Sequence, residues 1–171
     1  VGILIINRPK FEDHPVKTKQ NPVQVETQAL HNINKPIIDV SGWQRPSEIN
    51  YDTLTQNISG AIVRVHSGAQ VSVENDAAFK NGVDKAYKEH ITEFQKRNVP
   101  VAVYAYVAGK NVEEMEKAAE AFYNAASPYN PSYYWLDVEE KTMSDMNQGV
   151  EAFRAKLASL GAKNIGIYVG V

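Results

Sequence analysis

Tyr133-Tyr134-Trp135-Leu136-Asp137-Val138-Glu139-Glu140 reads as a β-strand that runs from aromatic and branched residues straight into carboxylates. Side chains alternate along a strand, so Trp135, Asp137 and Glu139 are expected on one face and Leu136 and Val138 on the other, with Glu140 turned away from the acids. Two residues of strand rise separate Asp137 from Glu139 by roughly 6.6 Å along the backbone, a spacing that suits paired-carboxylate chemistry. A strand simply ending at the surface would also finish in acids, so the surroundings decide.

Outward from this stretch the chain repeats one pattern. Strands are expected at 36–41, 60–67, 99–107 and 164–171. Phe79, Val83, Ala86, Tyr87, His90, Ile91 and Phe94 recur at three-and-four spacing and predict an amphipathic helix over 75–98, about six turns long, with Asn75 as N-cap. Helices are also expected over 111–126 and over 144–160, the latter stopped by Gly161, and a short one opens at Ser47–Asp52. Alternating strands and helices with apolar strands imply an α/β chain with a parallel sheet, either doubly wound or part of a β/α barrel. In both, ligands gather at the carboxyl ends of the strands, where Asp39, His66, Ser67, Tyr106, Asp137 and Glu139 fall. No glycine-rich loop follows a strand at phosphate-binding spacing, which argues against a nucleotide site.

The bulk properties narrow the function classes. The 171 residues fit one core-forming domain, spanning 36–171, preceded by a polar arm or linker over 1–35 that Pro9, Pro15 and Pro22 interrupt. A net charge of -2 offers no footprint for nucleic acid, and a mean hydropathy of -0.39 excludes an integral membrane protein. The apolar start Val1–Ile6 is too short to span a bilayer; it is a strand or the remnant of a removed export or anchor segment, the one route to a membrane. With no cysteine, thiolate metal sites, disulfides and a Cys nucleophile are excluded. His66 beside Ser67 lacks a second His at ligand spacing, so neither a metal site nor a serine-hydrolase triad is expected. Arg64, charged in the middle of an apolar strand, requires a partner, for which Asp39 and Asp137 are the candidates.

Several segments in register resemble the family 25 glycoside hydrolases, the N-acetylmuramidase lysozymes that cut bacterial peptidoglycan. They are Asp39-Val40-Ser41-Gly42-Trp43-Gln44, Ala61-Ile62-Val63-Arg64-Val65-His66-Ser67-Gly68, the group Asp76, Phe79 and Asn81, Val103-Tyr104-Ala105-Tyr106, Trp135-Leu136-Asp137-Val138-Glu139 and Ile165-Gly166-Ile167-Tyr168. The resemblance covers residues 35–171 and implies an irregular, TIM-like β/α barrel in which five βα units precede three further strands. About five strands are present here, so the chain is expected to be cut short after the fifth; an acid that the family usually carries on its last strand has no counterpart.

What the resemblance implies for the site is Glu139 as general acid, Asp137 as assisting carboxylate and Asp39 as a third, orienting acid. Close carboxylates raise each other's proton affinity, which suits acid catalysis. Retaining, inverting and N-acetyl-assisted routes stay open, because carboxyl separation decides among them. Arg64, Tyr104, Tyr106, Trp135 and Tyr168 are candidates for substrate contact, the rings as a wall for apolar sugar faces. No metal or cofactor is expected. The implied partner is the peptidoglycan glycan strand, met by a monomer outside the cell or at its wall; the alternative is a carbohydrate- or wall-binding module that keeps the groove without turnover.

Overall fold

The computed structural model describes residues 35–68 and 74–169. The expected arm over 1–34, with the apolar start, and the final Gly170-Val171 of the expected fifth strand lie outside the described residues. Strands β1 (Ile37–Val40), β2 (Gly60–Ser67), β3 (Val101–Tyr106), β4 (Tyr134–Val138) and β5 (Ile165–Val169) form one parallel sheet in the order β1-β2-β3-β4-β5. Between them run helices α1 (Tyr51–Thr55), α2 (Tyr87–Lys96), α3 (Val112–Ala126) and α4 (Met146–Leu160).

Local chemistry explains where the helices begin and end. Asn50, Asn111 and Asp145 each accept a hydrogen bond from the backbone N–H three residues on, satisfying a donor that the first turn leaves free. Gly161, at φ 113°, closes α4 in the left-handed conformation that a Cβ would penalise. The turn Pro46–Glu48 is 3₁₀, and the short helix expected at Ser47–Asp52 is displaced to Tyr51–Thr55.

All the long helices pack on one face. Val63, Val65, Val103, Ala105, Tyr134 and Leu136 meet Ile91, Phe94, Met115, Phe122, Phe153 and Leu157 in a single core, while Arg64, Tyr104, Trp135 and Asp137 belong to the opposite face. A doubly wound sheet reverses its strand order and carries helices on both faces. Sequential order with helices on one side is instead the arrangement of a β/α barrel wall, whose chemistry gathers at the carboxyl ends of its strands. Among the described residues the outer edges of β1 and β5 have no strand partner.

One helix is much shorter than its periodicity predicts. Residues 75–86 form an irregular loop, and α2 starts only at Tyr87. The Asn75 side chain accepts from the N–H groups of Ala77 and Ala78, building a tight turn instead of a cap. Gly82 then takes φ 84°, which breaks a right-handed helix, and the carboxylate of Asp84 accepts from Ala86 N–H at 2.8 Å. Phe79, expected inward, is exposed.

Candidate functional site

Strand register lines up the helix-free face in two rungs. Arg64, Tyr104, Trp135 and Gly166 lie side by side, and one step nearer the carboxyl ends lie Ser67, Tyr106, Asp137 and Tyr168. Gly166 is needed in the first rung because a Cβ there would stand 2.3 Å from the Trp135 ring. The indole therefore lies across β5 and meets Tyr168 edge-on at 6.3 Å, and Tyr168 meets Tyr104 at 6.3 Å. Tyr133 extends this wall by stacking on Trp135 at 5.6 Å.

Asp137 forms the floor. It is 5% exposed, the Tyr168 hydroxyl lies close enough to act on its carboxylate, and Oδ1 is buried with no hydrogen-bond partner among the described residues. Burial, then the charge of Glu139 and that of Asp39, push its carboxyl up to about 6, against the opposing pull of the Tyr168 hydroxyl and the Arg64 charge. Burial and the neighbouring Asp137 in turn hold the Tyr168 hydroxyl firmly protonated. Glu139 and Asp39 stand exposed at the rim, close enough for their fields to reach Asp137. Three predicted acids thus converge from the first and fourth strands.

The raised carboxyl has a consequence for stability. An acid whose proton affinity is higher folded than unfolded stabilises the fold while protonated, and that contribution is lost as pH rises through about 6. Asp137→Asn should therefore raise the unfolding free energy at pH 7–8 by about 1–3 kcal/mol, with the gain vanishing below about pH 4. Urea midpoints across that range check it; a variant less stable at pH 8 than at pH 4 relative to wild type would contradict the burial argument.

Three expectations require correction. Arg64 pairs with neither Asp39 nor Asp137: its Nε donates to Asp84 Oδ2 at 2.9 Å, and both side chains are buried. Glu140 does not turn away. Strand β4 ends at Val138, so alternation no longer governs the next residues, and Glu140 accepts a hydrogen bond from the Tyr106 hydroxyl. After burial, that bond keeps the Tyr106 hydroxyl protonated. His66 leaves the site face because β2 bulges between Arg64 and His66: Val65 is the extra residue, and His66 pairs with Ala105, on the helix side. Its imidazole is 2% exposed, and burial drives it down to about 4, so it is neutral at pH 7.

Asp84 is the residue of this site that sequence reasoning missed. The only signal was the unmet demand of Arg64 for a counter-charge. Among the described residues no group of three or more His, Asp or Glu is placed to hold a metal ion, and no helix is long and apolar enough to cross a membrane. A cleft of about 710 Å³ lies at the amino ends of the strands, lined by Asn98, Asn130, Ser132 and Lys163, remote from the acids.

Known proteins share this fold. Over 88% of this chain and 66% of its own, a glycosyl hydrolase 25 of Streptococcus pneumoniae, described as a virulence factor participating in host cell invasion, is 80% identical with a TM-score of 0.80. The catalytic domain of the endolysin ply40, from a bacteriophage of Listeria monocytogenes, matches 78% of this chain and 62% of its own at 19% identity and TM-score 0.65. The modular autolysin LytC of S. pneumoniae matches 79% of this chain and 32% of its own at 22% identity and TM-score 0.62. The two distant likenesses carry the fold alone, and the chain spans only part of the length of each protein it matches. No family model and no curated protein matches the chain. With four-fifths of its aligned residues identical to a glycosyl hydrolase 25 and the same strand-and-helix path, the chain belongs to the family 25 glycoside hydrolases.

Proposed function

We propose that the protein hydrolyses the β-1,4 bond between N-acetylmuramic acid and N-acetylglucosamine in peptidoglycan, acting outside the cell or at its wall. The observation that carries this reading is the buried Asp137, its proton affinity raised, with Glu139 beyond it and Asp39 across the face. Glycoside cleavage needs a proton donor at the leaving oxygen and negative charge to stabilise an oxocarbenium-like transition state. Glu139, exposed at the rim, is the donor, reachable by a glycosidic oxygen laid across the strand ends. Asp137, beside Tyr168 on the next strand, faces the developing positive charge, and Asp39 adds to the negative field. Trp135 and Tyr168, both half-buried, supply ring faces against which apolar sugar surfaces exclude water, while Tyr104 is buried against Tyr168. Tyr106, held by Glu140, marks the lip. LytC, whose fold this chain shares, has been solved with a synthetic peptidoglycan ligand.

Digestion of purified peptidoglycan by the intact protein, followed by borohydride reduction and mass spectrometry, tests the bond. New reducing ends should be N-acetylmuramic acid. N-acetylglucosamine ends would transfer the reading to the other bond, and saccharide binding without new ends would leave a binding module.

A further inference from the structure

The contact of Arg64 with Asp84 does more than neutralise a buried charge. Asp84 is fully buried and reaches the site from the loop before α2. Its Oδ2 accepts from Arg64 Nε at 2.9 Å and from Gly42 N–H at 2.8 Å, and its Oδ1 accepts from Ala86 N–H at 2.8 Å. Gly42 lies three residues past Asp39, so one carboxylate ties the exit of β1 to the middle of β2 and the start of α2. Meanwhile Arg64 Nη2 and Asp137 Oδ1 are both buried, and neither has a hydrogen-bond partner among the described residues. A buried donor and a buried acceptor of opposite charge on one face would ordinarily close on each other, since each unsatisfied group costs free energy. The planar guanidinium cannot swing freely while its Nε edge is held.

We infer that Asp84 is a positioning residue of the hydrolytic site: by engaging Arg64 it keeps the guanidinium from forming an ion pair with Asp137, leaving the Asp137 carboxylate unpaired to face the charge that develops on the sugar. The inference rests on the muramidase reading only for its catalytic consequence. The charged and titratable groups that face Asp137 are Asp39 from β1, Arg64 from β2, Tyr104 and Tyr106 from β3, Tyr168 from β5 and Glu139 beyond its own strand. Of these Arg64 is the cation, and a carboxylate that gains an arginine partner loses about 1–3 pH units of proton affinity.

The test is a carboxyl-carbon NMR titration of Asp137 in the intact protein, which needs no substrate, run beside the pH profile of wall lysis. Asp84→Asn retains an acceptor for Arg64 but not the charge, so Asp137 should titrate at least about one pH unit lower, with the acid limb of activity moving equally. Arg64→Met should move it upward. In the Arg64→Met background Asp84→Asn should leave Asp137 unmoved, because Asp84 acts through Arg64; this neutral pair spares the fold if the single variant does not. An Asp137 titration unchanged by Asp84→Asn, or a further shift of about half a pH unit or more in the double variant, overturns the inference. The expected titrations in a protein that releases no reducing sugar would sink the muramidase reading instead.

Discussion

Glu139→Gln should lower the turnover of peptidoglycan hydrolysis by about 10²–10⁴-fold while leaving the folded protein intact, the loss expected when a general acid is removed from a positioned site. The side chain is exposed beyond the end of β4, so the amide replaces a solvated group and no core contact is lost. Stability should change by no more than about 0.5 kcal/mol, as for surface substitutions away from special features. The comparison with Asp137→Asn separates the two acids: that variant should also lose turnover, but with a gain in stability above about pH 6 that Glu139→Gln does not share. Release of reducing ends and a urea melt on the same preparations check both. Undiminished turnover in Glu139→Gln would remove the acid assignment and turn attention to Asp137.

Phe122→Ala should be the most damaging single change to the fold. Its ring is fully buried between α3, α4 and β4, meeting Tyr134 edge-on at 5.6 Å and Phe153 at 6.4 Å. Truncation removes the transfer free energy of the ring and leaves a cavity that the surrounding rings cannot fill, at a cost of about 3–5 kcal/mol. For a chain of this size that is a fall in melting temperature of about 6–20 °C. Because Tyr134 opens the strand that carries Asp137, the same variant should show reduced lysis at temperatures where it is still folded. A melting temperature within a degree of wild type would show the core to be more plastic than its packing implies.

Much of this molecule was legible in the order of its residues. The apolar strands, α3 and α4 follow from periodicity and caps, and the cluster of Asp39, Asp137 and Glu139 follows from reading which residues finish parallel strands. What was not legible depends on single atoms. The loop over 75–86 contains apolar residues at helical spacing, yet Asn75 and Asp84 spend their side chains on backbone N–H groups and Gly82 turns left-handed, so local hydrogen bonds override the period. Reading that loop as helix gave Asp84 no role and hid the partner of Arg64. Glu140 was misplaced because alternation was carried past the last paired residue, Val138.

The bulge in β2 has a meaning beyond the placement of His66. The extra residue, Val65, makes the strand before it and the strand after it obey opposite parities, so Arg64 and Ser67 both face the helix-free surface although three positions separate them. Paired one-for-one past Arg64, the same residues would set Val65 against Ala105 and His66 against Tyr106, exchanging a small hydroxyl for a titratable ring beside the acids. The bulge therefore acts as a reading frame for the inner surface. Excising Val65 would straighten the strand yet keep His66 and Ser67 on their present faces, whereas closing the bulge with Val65 retained would swap them. Two inner surfaces of different chemistry are thus encoded by one string of residues, and the backbone slack at a single position selects between them.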